Sequence, residues 1–197
     1  MAARLVQGSR KDKDPRPDSR LMQDLCAGDE DAFAEVVRRF QNPVYSLLIR
    51  MLGNEEEAEE LLQVTFCRVH RYRENYDPSR PLVTWIFTIA SNLAKKEWRR
   101  RSRWVNVPLE HVHLTSSQKT APHYDSGQVE LRASLEEAIN NLPPHYREPF
   151  LLREKQEMTY EEIAEVLGIR IGTVKSRINR ARASLRTSLR DVWEQWR

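Results

Sequence analysis

Glycine is scarce in this 197-residue chain, with only 6 in all, and no Val/Ile/Thr-rich alternating stretch recurs. Strands have little support, so helices are the expected regular structure. Cysteine is scarcer still: Cys26 and Cys67 form neither a metal-binding spacing nor a disulfide framework. A reducing, cytoplasmic setting is therefore expected. No apolar run approaches the roughly 18 residues that a membrane crossing needs, so no membrane insertion is expected. The N-terminus (Arg4, Arg10, Lys11, Asp12, Lys13, Asp14) lacks the apolar core of a signal peptide. A P-loop, a Gly-rich phosphate cradle, a metal-ligand cluster and a nucleophile motif are all missing. The chain is expected to be no enzyme and to need no cofactor. His111, His113 and His123 sit close in sequence, but no carboxylate or thiol is suitably spaced to complete a metal site.

Charge of one sign is missing locally rather than overall. The net charge is only +3, yet no acid occurs between Val166 and Arg190. That stretch carries Arg170, Lys175, Arg177, Arg180, Arg182, Arg186 and Arg190. A second basic run, Lys95, Lys96, Arg99, Arg100, Arg101 and Arg103, faces a single Glu97. Glu55, Glu56, Glu57, Glu59 and Glu60 make an acidic cluster without a base among them. Two concentrated basic segments in a near-neutral chain imply two separate contacts with a polyanion.

Apolar periodicity divides the chain into two helical groups. Residues 1–19 are polar, contain Pro15 and Pro17, and are expected to be a disordered arm. Residues 20–103 carry helical stripes. Ala32, Phe33, Val36, Val37 and Phe40 form one, and Val44, Leu47, Leu48, Met51 and Leu52 form the next. Asn42 and Pro43 should kink or break the helix between them. Gly53 is a plausible stop, and Asn54 is placed to cap a third helix whose first turn is acidic. Asp77 to Pro81 is a loop by turn chemistry. A fourth helix follows with Leu82, Trp85, Ile86, Ile89 and Leu93 on one face. The pattern collapses over 104–128, which reads as a flexible linker between domains. It resumes over 129–197, where Leu142, Pro143 and Pro144 interrupt it and Pro149 must sit in a first turn or bend a helix. The expected fold is all-α, with two small helical domains joined by a flexible linker.

The sharpest local signal runs from Thr159 to Ile178. Thr159 with Glu162 makes a capping box. Ala164 is small where two helices cross, and Gly168 stands where a tight turn needs positive φ. Ile163, Leu167, Ile169, Val174 and Ile178 fill the wedge between helices. This pattern presents a second helix to a DNA major groove. Lys175, Ser176, Arg177, Arg180, Arg182 and Arg186 are left on its exposed arc for base edges and phosphates. A solvated basic helix packed on a neighbour is the plainer alternative.

These residues also carry a resemblance. Ile163 to Arg182 resembles region 4 of the extracytoplasmic-function (ECF) sigma factors, the smallest members of the sigma-70 family, and Asn141-Leu-Pro-Pro-His-Tyr-Arg147 resembles the start of that region. Asp31-Ala-Phe33, Ala58 to Gln63 with Phe66, and Thr84 to Asn92 resemble region 2. The chain departs from the family's common pattern at Glu60, where Asp is frequent, and at Val64, where an acid is frequent.

The resemblance implies a transcription initiation factor that binds core RNA polymerase and recognises double-stranded and melted promoter DNA. Glu59, Glu60, Leu61, Gln63 and Phe66 would dock on the clamp helices of the largest subunit. Asn75, Tyr76, Asp77, Ser79, Arg80, Phe87, Ser91, Asn92, Lys95, Lys96, Arg99 and Arg100 would handle the −10 element. Arg170, Thr173, Lys175, Ser176, Arg177, Arg180 and Arg182 would read the −35 element, and the same region would touch the flap of the second-largest subunit. An anti-sigma factor is a further implied partner. Trp85 lies on an apolar stripe, so a core role competes with base stacking there. An operator-binding regulator would explain 159–190 alone and leave the first half without a role.

Overall fold

Local capping chemistry sets most helix ends. A computed structural model describes the backbone of residues 14–104 and 126–190, with side chains omitted at 102–104, 126–130 and 132. Helices α1 (Asp18–Cys26) and α2 (Glu30–Leu52) meet at a corner where Asp29 accepts from the backbone N–H of Asp31 at 2.9 Å and of Ala32 at 3.3 Å. Gly53, at φ 67°, ends α2 in the left-handed region that a side chain resists. Asn54 then caps α3 (Glu55–Arg71) by accepting from the Glu57 N–H at 2.9 Å. A short 3-10 turn, Arg73–Asn75, leads to the loop before α4 (Leu82–Trp104). The second group contains α5 (Ser126–Asn140), α6 (Pro144–Glu154), α7 (Tyr160–Leu167) and α8 (Ile171–Ser188). Among the described residues there is no strand.

Four expectations about segments change. Helix α2 runs unbroken through Pro43. A proline inside a helix removes one backbone hydrogen bond, but Phe40, Val44, Leu47 and Leu48 continue the buried stripe across it, and that packing holds the helix together. Pro149 likewise lies beyond the first turn of α6 and is buried; Pro144 takes the first helical position instead. The arm expected over 1–19 is shorter on its C-terminal side. Arg39 of α2 donates to the carbonyls of Asp14 and Arg16, both at 2.7 Å, and to the Asp18 carboxylate at 2.7 Å. Arg16 in turn bridges Asp14, Asp24 and Asp29 at 2.7–3.0 Å. Helix α4 reaches Trp104 and α5 begins at Ser126, so both ends of the expected linker are helical. The rest of that linker, with His111, His113 and His123, lies outside the described residues, as do residues 1–13.

Leu21, Val36, Leu47, Phe66, Ile86 and Ala90 pack α1–α4 together, while Leu151, Ile163, Val174 and Ile178 pack α6–α8. A single apolar cluster runs through both groups, and α4 lies against α7. In the second group, Thr159 and Glu162 form the reciprocal capping box. Gly168, at φ 65°, turns the chain from α7 into α8. Ile163 is fully buried in the angle between them.

Ile163→Ala is expected to lower the unfolding free energy by about 2–5 kcal/mol, from lost burial and a residual cavity. Thr159→Ala is expected to lower it by about 1 kcal/mol, from the lost cap. Urea midpoints at unchanged slope measure both. An unmoved midpoint for Ile163→Ala would refute the packed wedge.

Candidate nucleic-acid interface

The first candidate surface is built on α4 and the loop that precedes it. With 3.6 residues per turn, burying Leu82, Ile86, Ala90 and Ala94 leaves Asn92, Lys96, Arg99 and Arg100 exposed on another side. Arg100 is held by Glu97 at 2.6 Å, and that hydrogen bond holds its guanidinium above the ordinary range. At the N-terminal end of this stripe, Asn75, Tyr76, Asp77, Arg80, Trp85, Thr88 and Glu165 line an open cleft of about 290 Å³. The Tyr76 hydroxyl donates to the Arg80 carbonyl at 2.7 Å, and its ring lies 5.4 Å from that of Trp85. The Ser79 hydroxyl and backbone N–H donate to Asp77 at 2.7 and 2.9 Å, holding its carboxyl below the usual carboxylate range. The loop is thus pre-shaped, with two aromatic rings and several polar groups at one opening.

Three residues expected at this surface are not on it. Phe87 is fully buried in the core between the helices, because it follows Ile86 on the inward side of α4. It presents no face to a base. Ser91 is also buried, and its hydroxyl donates to the Glu148 carboxylate of α6. Lys95 is half-buried and lies 3.4 Å from the same carboxylate. Trp85 packs against the core and also lines the cleft.

The second surface is α8. Val174, Ile178, Ala181 and Leu185 are buried, which splits the polar residues into two flanks. Thr173, Ser176, Arg177 and Arg180 recur at three- and four-residue steps on one flank. Lys175, Arg182 and Arg186 occupy the other. The first flank adjoins the start of α6: the Tyr146 hydroxyl accepts from Arg180 at 3.2 Å, and the His145 ring lies 4.0 Å from that of Tyr146. Burial, then the charges of Arg177 and Arg180, push His145 below the usual imidazole value. On the second flank Arg182 is held by Glu154 at 2.6 Å, and the Lys175 ammonium lies 5.7 Å from the Tyr160 ring centre. Arg170 is exposed at the N-cap of α8.

The acidic face of α3 is the third surface. Glu56, Glu59, Glu60, Gln63 and Cys67 are exposed at helical spacing, and Leu61 is half-buried beside them. Phe66, expected to be a contact, is only 6% exposed and packs inward with Ala58 and Val69. It positions the face rather than forming it. His145, Tyr146 and Tyr160 were missed as neighbours of the basic flanks, although Asn141–Arg147 had already marked that turn. Glu148 was missed as well; a lone acid amid Pro149, Phe150, Leu151 and Leu152 was the available signal.

Among the described residues, no group of His, Cys, Asp and Glu is suited to hold a metal ion, and no helix is long and apolar enough to cross a membrane. Comparison with known proteins agrees with the geometry. Residues 36–103 match "Sigma-70 region 2" and residues 132–185 match "Sigma-70, region 4". The chain is 35% identical over 173 residues to the ECF RNA polymerase sigma factor SigW of Bacillus subtilis, covering 84% of this chain and 92% of that one. It is 37% identical over 168 residues to the ECF sigma factor SigE of Mycolicibacterium smegmatis, covering 83% of this chain and 65% of that one. The fold is shared with the sigma factor RpoE of Bartonella quintana, solved with the anti-sigma factor NepR, at a TM-score of 0.65 and 24% identity over 80% of this chain and 96% of that one. The chain therefore belongs to the extracytoplasmic-function sigma factors, the non-enzymatic RNA polymerase subunits of transcription initiation.

Proposed function

We propose that this sigma factor divides promoter recognition between the cleft beside α4 and the Thr173–Arg180 flank of α8. The observation that carries the reading is the cleft itself, since two aromatic rings, Asn75 and Arg80 meet at one end of an exposed basic stripe. Opening a promoter makes or breaks no covalent bond; it requires capture of bases after they leave the stack. Unstacking costs roughly a few kcal/mol, and stacking on an aromatic ring returns about 1–3 kcal/mol per base. Tyr76 and Trp85 supply that ring surface, and Asn75, Asp77, Ser79, Arg80 and Asn92 supply hydrogen-bonding groups. Lys96, Arg99 and Arg100 neutralise phosphates of the −10 strand.

On α8, Ser176, Arg177 and Arg180 face base edges of the −35 element, with Thr173 beside them and Arg170 near the backbone. Lys175 and Arg182 flank the groove and meet phosphates. Helix α3 offers Glu59, Glu60, Leu61 and Gln63 to the clamp helices of core polymerase, and the second domain meets the flap. The protein acts in the cytoplasm. An anti-sigma factor is a partner, by analogy with the NepR complex of the Bartonella protein.

Run-off transcription with core polymerase and this protein tests the whole assignment; absence of new start sites would refute it. Arg177→Ala and Arg180→Ala are each expected to cost about 1–3 kcal/mol of −35 discrimination. Loss of upstream footprint protection with intact polymerase binding is the expected readout. Asn75→Ala and Tyr76→Ala are expected to reduce permanganate reactivity of the −10 strand more than closed-complex formation; equal loss of both would assign the loop to initial docking instead. Glu59→Lys with Glu60→Lys is expected to weaken core-polymerase binding at least tenfold, a change of about 1.4 kcal/mol, while circular dichroism stays unchanged.

A further inference from the structure

The last turn of α3 and the 3-10 turn after it carry an exposed ring among arginines. The exposed side of α3 changes sign along its length: Glu56, Glu59 and Glu60 stand near its start, and Arg68 and Arg71 near its end. The helix dipole accounts for that reversal, since it favours acids in the first turn and cations in the last. It does not account for Tyr72. At 44%, Tyr72 is the most exposed large apolar side chain among the described residues, and the Arg71 guanidinium lies 5.6 Å from its ring centre. A planar cation beside a solvent-facing ring offers a base something to stack on and a phosphate something to pair with. Glu74 is the only acid between Arg68 and Asn75.

Backbone hydrogen bonds fix this surface to the cleft. The Asn75 N–H donates to the Tyr72 carbonyl at 2.9 Å, and the Tyr76 N–H donates to the Arg73 carbonyl at 3.2 Å. Arg73 is tied down in turn. Its guanidinium donates to the His70 carbonyl at 2.8 Å, and its carbonyl accepts from the Cys26 thiol at 3.4 Å. Three residues of 3-10 helix rise about 6 Å, so Tyr72 stands roughly one or two nucleotide spacings from Asn75, at about 3.4 Å per stacked nucleotide. The cleft takes Asn75 from the end of that turn, and Trp85 and Thr88 from the first two turns of α4. A strand that leaves the cleft on the Asn75 side meets Tyr72 next.

We propose that Tyr72, with Arg71 and Arg68, holds the melted strand just downstream of the −10 element, as a stacking site that continues the cleft. That assignment rests on the reading of the cleft given above. Each part of the surface offers something different. The cations of α4 suit backbone phosphates at the edge of the duplex. The rings of Tyr76 and Trp85 suit the first bases to leave the stack. Tyr72 offers one more ring face, and the bases that need one are those opened next, towards the start site. Stacking tolerates any base, so the site lengthens the held segment without adding a preferred sequence.

The test uses polymerase holoenzyme and two fork-junction templates, read by fluorescence anisotropy. In one the non-template strand ends with the −10 element; in the other it runs a few bases further. The measured quantity is the ratio of the two affinities. Tyr72→Ala is expected to cut that ratio about tenfold, within the range of one lost stack, and Tyr72→Phe to keep it. Abasic residues in the extension are expected to cost the wild type about ten times more than they cost Tyr72→Ala. Arg71→Ala is expected to lower the ratio and to flatten its dependence on salt. Tyr72 is exposed, so its variants keep the fold, and circular dichroism checks them. An unchanged ratio in Tyr72→Ala overturns the proposal. So does an equal loss on both templates, which makes Tyr72 a support of the cleft. Loss of binding to core polymerase overturns it too, by making Tyr72 a polymerase contact. Tyr76→Ala separates the two readings. Weaker binding of the short template there, with an unmoved Tyr72 ratio, overturns the continuation alone. Unmoved binding of the short template overturns the reading of the cleft and the continuation with it.

Discussion

Helix α4 has to keep Leu82, Ile86, Phe87, Ala90 and Ala94 dry against α2 and α3, and this requirement orients the first domain's chemistry. Each buried methylene contributes about 0.8 kcal/mol, so the summed preference for one rotational setting is large. A rotation by one residue, about 100°, would drive Lys95 into the core in one sense or turn Phe87 out of it in the other. Burying a lysine without a partner costs several kcal/mol. The helix therefore has one stable setting, in which Asn92, Lys96 and Arg99 face out and Ser91 and Lys95 face the second domain. The basic stripe is positioned by the apolar one.

The second domain solves the same problem at a different scale. Helix α7 has eight residues, too few to be stable alone, and depends on its capping box, on Gly168 and on Ile163 and Val166 packed against α8. Because α8 buries only Val174, Ile178, Ala181 and Leu185, both of its flanks stay open. One flank borrows the first turn of α6, where Tyr146 meets Arg180. The other meets Glu154 and Tyr160. Neighbouring helices thereby fix the long arginine side chains, which reduces the rotamer freedom they lose on binding.

Features set within a few residues were legible before the structure. Gly53, Asn54, the Thr159–Glu162 box and Gly168 all act through backbone groups less than a turn away, so sequence spacing suffices. Features set by distant contacts were not. Pro43 reads as a break locally, yet the core on either side carries the helix through it. Arg39 orders residues 14–18 through hydrogen bonds that span 21–25 residues. Phe66 lies on the apolar face of its helix and was placed at a polymerase contact by the resemblance, whereas Phe87 was placed on a surface because an aromatic ring suits stacking as well as burial; only the direction of the helix face separates the two uses. Arg80 and Glu165 lie 85 residues apart, and no spacing rule joins them.

The contact between the two groups of helices is both apolar and polar: one apolar cluster runs through both, and side chains of α4 and α6 also meet there through charge and hydrogen bonding. The buried Glu148 carboxylate accepts from the Ser91 hydroxyl and lies 3.4 Å from the Lys95 ammonium. Burial raises the Glu148 carboxyl above its usual range, while Lys95 and Ser91 pull it back, so its carboxylate is tolerated only while those partners remain. Burial also lowers Arg147 to about 10, a sign that its charge is better solvated outside. One buried acid thus sets which polar residues of α4 face α6: Ser91 and Lys95 meet Glu148, while Asn92 and Lys96 stay turned to solvent.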